Sequence, residues 1–143
     1  MSHYAEEKVN AYSPDYQYAP SVSKLAGGGY VVVWTSRGQD GNSDGVYAQR
    51  FDASGVPVGP EFRVNTTVVS DQVLPQVAGL SDGSFAITWT DRSGADGSSY
   101  GVFLQRYGAD GSSLGGEQRV NTYTTNQQDE PALAAYDGGF VVT

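Results

Sequence analysis

Asp40-Gly41-Asn42-Ser43-Asp44-Gly45 carries the sharpest chemical implication in the chain. It follows the pattern Asp-x-Asn-x-Asp-Gly, in which oxygens at alternate positions of a tight loop converge on one calcium ion. Two features run against a complete calcium loop. Position twelve, where such a loop places the acid that closes the coordination sphere, is Phe51. The matching later stretch, Asp96-Gly97-Ser98-Ser99-Tyr100-Gly101, keeps its first aspartate and loses two side-chain ligands. The bland alternative is a solvated Asp/Gly turn. The metal expectation therefore rests on Asp40, Asn42, Asp44 and Asp96.

A second candidate chemistry is sugar stacking. Trp34 and Trp89 stand at matching positions, with Tyr47, Tyr100 and Phe103 nearby and Asp, Asn and Gln around them. Exposed rings so flanked would seat the apolar face of a pyranose while polar groups take its hydroxyls. The competing reading is that rings recurring at a fixed interval are core. Enzyme chemistry is poorly supported. The one histidine is His3 and cysteine is absent, which leaves no Ser/His/Asp or Cys/His nucleophile. A carboxylate pair could still hydrolyse glycosides, but the acids fall in repeated turn positions. No catalytic residue is assigned, and a glycan-processing fragment ranks last.

The elements that must position these groups form a repeat. Val9-Asn10, Val64-Asn65 and Val120-Asn121 lie 55 and 56 residues apart, as do Pro20, Pro75 and Pro131. A period of this length, with no helical periodicity, predicts a unit that buries its apolar face only against neighbours. Four strands are expected in the first unit: a over Ser21–Leu25, b over Tyr30–Ser36, c over Val46–Asp52 and d over Glu61–Asn65. The second unit places them at Gln76–Leu80, Phe85–Thr90, Val102–Tyr107 and Glu117–Asn121. A third supplies Ala132–Tyr136 and Phe140–Thr143. Strand b is apolar on both faces, and strand a carries small residues suited to a crowded position. Glu6–Asn10 aligns with strand d, which makes eleven strands in all.

The fold predicted is all-β: propeller-like blades, each a four-stranded antiparallel meander, in an incomplete ring. Its divisions are 1–19 (a last strand and linker), 20–74, 75–130 and 131–143. In a meander the short a–b and c–d turns share one end, so any ligand belongs with the longer b–c and d–a loops at the other. Recurring Gln49-Arg50 and Gln105-Arg106 are expected to tie strands together, the arginine meeting a carboxylate or a backbone carbonyl.

Eight basic against sixteen acidic residues give a net charge of −8, which argues against nucleic acid and anionic membranes. No apolar run approaches the ~20 residues needed to span a bilayer. Met1–Glu7 is unlike a signal peptide, so an export signal is expected outside this stretch.

Gly28–Trp34, Ser36–Gly41, Gly45–Asp52 and Gly59–Thr66 together resemble a tandem repeat of very large secreted bacterial proteins, those that also carry cadherin-like or RTX-type calcium repeats. The second copy is looser, with Ala95-Asp96-Gly97 for Gln39-Asp40-Gly41 and Gln118 for Phe62. The resemblance implies an extracellular or cell-surface structural or adhesive module, and supplies no active site. The partners expected are neighbouring repeats or identical chains, with Glu6–Asn10 of one chain complementing Ala132–Thr143 of another. A polysaccharide is the alternative partner, and calcium the possible cofactor.

Overall fold

The structure is a computed structural model that describes residues 6–143, and among them every regular element is a strand. The first sheet is β1 (Gln17–Lys24), β2 (Tyr30–Arg37), β3 (Asp44–Phe51) and β4 (Phe62–Arg63), in that order. The second is β5 (Gln72–Gly79), β6 (Phe85–Asp91), β7 (Gly101–Tyr107) and β8 (Gln118–Arg119), again in chain order. β9 (Leu133–Tyr136) and β10 (Gly139–Val142) pair with each other. All the pairings are antiparallel.

Three details depart from expectation, each for a local reason. Glu6–Asn10 forms no strand, because no strand like β3 lies beside it to offer a ladder. Strand a starts earlier than Ser21 and Gln76. The proline expected just ahead of it sits inside it, at a register shift between Tyr18 and Ser21 and between Val73 and Gln76. Proline has no N–H to give the ladder, so the chain bulges there. The residue before each proline takes a left-handed φ: Ala19 at 55 residues' remove from Leu74 (φ 51 and 57), and Glu130 (φ 52). Strand d shrinks to Phe62–Arg63 and Gln118–Arg119. Past it Val64 N–H still reaches the Val46 carbonyl at 2.8 Å. The Val46 N–H is then taken by the Asn65 side chain, Oδ1 at 2.7 Å, where a backbone carbonyl would otherwise stand.

The core is the seam between the first two sheets, where β5 lies against β1, β2 and β3. The first sheet contributes Val31, Val33, Val46, Ala48 and Val64; the second contributes Val77, Phe85, Ile87, Trp89 and Tyr107. Each such side chain is worth roughly 1.5–3 kcal/mol of burial, an upper figure given a compact unfolded chain. Neither sheet could hide these residues alone. At the inner strands the approach is closest. Ser23 Oγ accepts the Gly79 N–H at 2.9 Å, and a Cβ on Gly79 would fall on the Lys24 carbonyl oxygen.

Gly79→Ala should therefore cost about 1–3 kcal/mol through overpacking against backbone. Gly116→Ala, at a site with open space around the added methyl, should leave the thermal midpoint nearly unchanged. Equal midpoints for the two variants would contradict the close approach.

Candidate functional site

The residues singled out for chemistry gather at the end of the sheets where the b–c and d–a loops meet. Asp40 folds back over its own turn: its Oδ1 accepts the Asn42 N–H at 3.0 Å. Its Oδ2 lies where a Cβ on Gly45 would be 3.0 Å away, on the side of β3 that carries Tyr47. Asp44 is one residue earlier on the strand, so alternation turns it to the opposite side. There Tyr18 donates its hydroxyl to Asp44 Oδ2 at 2.7 Å. Asp40 Oδ2 and Asp44 Oδ1 are both buried without a hydrogen-bond partner, yet they belong to different faces. Asn42 is exposed. Asp96, in the second unit, is held by Ser98 N–H at 3.0 Å and Asn121 Nδ2 at 3.3 Å. The four proposed metal ligands thus do not converge, and no group of three or more acidic, histidine or cysteine side chains among the described residues could hold an ion.

The sugar platform also needs correction. Trp34 and Trp89 are 4% and 1% exposed, and Tyr47 is 6% exposed. Trp89 packs in the seam, its ring 6.3 Å from that of Phe103. Tyr100 remains half-buried, with the Arg92 guanidinium 4.9 Å from its ring centroid. Little of the Trp34, Trp89 and Tyr47 rings is left open to a pyranose. His3 lies outside the described residues.

Polar recurrence, by contrast, marks a set of devices that sequence inspection passed over. Asn65 Nδ2 donates to Gln72 Oε1 at 3.0 Å, and Asn10 and Asn121 do the same to Gln17 and Gln128, each at 3.1 Å. Each glutamine then donates to a carbonyl three residues back, closing the d–a loop: Pro14, Val69 and Thr125. Other devices cross between units. Thr35 Oγ1 accepts the Leu74 N–H at 3.3 Å and Thr90 Oγ1 the Glu130 N–H at 3.2 Å. Glu61 accepts from Ala11 N–H at 2.7 Å, and Glu117 from Thr66 N–H at 2.9 Å. Arg50 spans the seam to the Asp110 and Ala109 carbonyls at 2.6 and 2.9 Å, so carbonyls rather than a carboxylate are its partners. The signal was available as Asn and Gln seven residues apart in every unit.

Compared with protein-family models, with curated proteins and with solved structures, the chain matches none.

Burial raises the phenol pKa of Tyr18 and Tyr107; at Tyr18 the Asp44 carboxylate adds to it. A raised folded-state value stabilises the fold fully below the ordinary 10.0, and that contribution is lost as pH climbs above it. Ionisation of Tyr18 and Tyr107 should therefore accompany loss of β-sheet signal in alkali; their ionisation in a chain that keeps its β-sheet signal would refute this. Calcium and a chelator test the loop separately. With ligands on opposite faces, the melting midpoint should not move, and a calcium-dependent rise would restore the metal site.

Proposed function

We propose that this chain is a structural and adhesive repeat module of an extracellular or cell-surface protein, built as a run of propeller-like blades stacked face to face. One observation carries the reading. A set of polar side chains recurs at matching positions in successive units, where it closes loops or joins one unit to the next. Glu61 and Glu117, Thr35 and Thr90, and the Asn–Gln pairs all serve in this way, and Arg50 adds a tie between the first two units. Sheets that each follow chain order, with β5 of one unit against β1 of the previous unit, are what a stack of blades requires.

Carbohydrate binding stays the second reading, moved to other rings. Tyr16 and Tyr123 are 72% and 66% exposed and lie in or beside the d–a loops.

The two readings separate on a pair of substitutions. Trp89→Ala should cost about 3–5 kcal/mol, read as a lowered denaturation midpoint. Tyr16→Ala should leave both stability and glycan-array binding as they were. Saturable binding to an oligosaccharide that disappears in Tyr16→Ala, with the fold intact, would replace the structural reading by the carbohydrate one.

A further inference from the structure

We infer that Asn42 is a site of spontaneous deamidation, and that its conversion to isoaspartate unties the b–c loop of the first unit from the d–a loop beside it. The asparagines of the chain are held very unequally. Asn10, Asn65 and Asn121 stand at matching positions with their amides engaged. Asn65 Nδ2 donates to the Thr67 carbonyl at 2.6 Å and to Gln72 Oε1 at 3.0 Å, while its Oδ1 accepts the Val46 N–H at 2.7 Å. Asn121 repeats these bonds with Tyr123, Gln128 and Val102, and Asn10 makes the two donations, to Tyr12 and Gln17. The backbone nitrogen after Asn65 is occupied too, since the Thr66 N–H donates to Glu117 Oε2 at 2.9 Å.

Asn42 differs at each of these points. Its side chain is exposed and makes no hydrogen bond among the described residues; only its backbone N–H is tied, to Asp40 Oδ1 at 3.0 Å. The Ser43 N–H that follows lies just ahead of β3 and has no acceptor among the described residues, so its nitrogen is open to react. Gly41, on the other side, takes φ 86 with open space around it, and the tip of the loop can turn without meeting a neighbour. Asn126 also lacks amide bonds among the described residues, but the long side chain of Gln127 crowds the nitrogen that would attack.

In the reaction the Ser43 backbone nitrogen gives its proton to solvent base and bonds to Asn42 Cγ. The Cγ–Nδ2 bond breaks, and Nδ2 leaves as ammonia. Water then opens the cyclic imide. Attack at Cγ gives aspartate; attack at the backbone carbonyl carbon gives isoaspartate, whose main chain runs through the former side chain and gains a carbon. That carbon falls immediately ahead of two anchors. The Ser43 carbonyl accepts the Gly38 N–H at 2.6 Å, and Ser43 Oγ donates to Asp71 Oδ1 in the d–a loop. Asp44, next along, takes the Tyr18 hydroxyl at 2.7 Å. The new carboxylate also joins a loop that already holds Asp40 and Asp44.

Incubation of the whole chain, warm and in mildly alkaline buffer, tests this, with peptide mass spectrometry to locate each conversion and electron-transfer fragmentation to tell isoaspartate from aspartate. Asn42 should convert first, several-fold faster than Asn10, Asn65 or Asn121. In concentrated urea the gap should narrow, because the held amides are released there. Asn42→Gln should remove the product at that position. The isolated isoaspartate form should melt several degrees lower than the starting chain and exchange the Gly38 amide hydrogen faster. Asn42→Asp, which adds the charge without the carbon, should keep the original midpoint. An Asn42 amide that outlasts those of Asn65 and Asn121 in the folded chain, or a gap undiminished in urea, would overturn the selective exposure of this site. An isoaspartate form that melts and exchanges like the starting chain would overturn the untying of the loop.

Discussion

The contact on which the rest of the structure depends is the meeting of backbone with backbone at the inner strands. Gly79 passes so near the Lys24 carbonyl that no side chain fits between them, and Ser21 and Ser23 turn their hydroxyls to the N–H groups of β5. An approach of this kind is possible only where side chains are small, which is why strand a carries serine, alanine and glycine. The bulk then lies further along the meander. Tyr30 stacks on Phe51 at 4.9 Å, and Phe85 on Tyr107 at 5.0 Å, at matching positions of the two sheets. Phe62 reaches across the seam to Tyr107 at 5.3 Å. Small residues inside and aromatic rings beyond them set how one sheet can lie on the next.

Burial on both sides of a sheet creates a second demand, since the loops that link its strands must also satisfy their polar groups. Side chains do much of this work. Asn65 stands in for a strand carbonyl, Gln49 and Gln105 donate to the Gly59 and Gly115 carbonyls at 3.0 Å, and Thr35 receives the N–H that a left-handed Leu74 turns away from its own sheet. Left-handed φ at a leucine is uphill. It is tolerated because the bulge places proline where the ladder needs no donor.

What was legible in the sequence was whatever recurs as a hydrophobic pattern. The apolar character of both faces of strand b predicted the burial of β2 and β6, and the small residues of strand a marked the crowded contact. The bulge was not legible. Pro20 and Pro75 read as lying just ahead of a strand, because the pairing of Gln17 with Ser36 and of Gln72 with Asp91 is set by tertiary register. Nor was the fate of Trp34 and Trp89. A tryptophan at the end of a strand can serve a ligand or a seam, and only the presence of the neighbouring sheet decides. The acidic loop is a related case: spacing along the chain says which oxygens are near in sequence, whereas the turn folds Asp40 over Gly45 and strand alternation sends Asp44 to the other side.

The ties across the seam share an electrical property. Arg50 meets carbonyl dipoles, and Glu61 and Glu117 meet amide dipoles; the ion pair among the described residues is Arg92 with Asp71, at a loose 4.0 Å. Dissolved ions weaken attraction between separated charges over a length of about 8–10 Å in ordinary saline, but have little purchase on a charge pressed against a dipole at contact distance. Brine would also screen the self-repulsion of a chain carrying −8 and strengthen apolar contact. Units joined in this manner would hold as firmly in seawater as in dilute buffer.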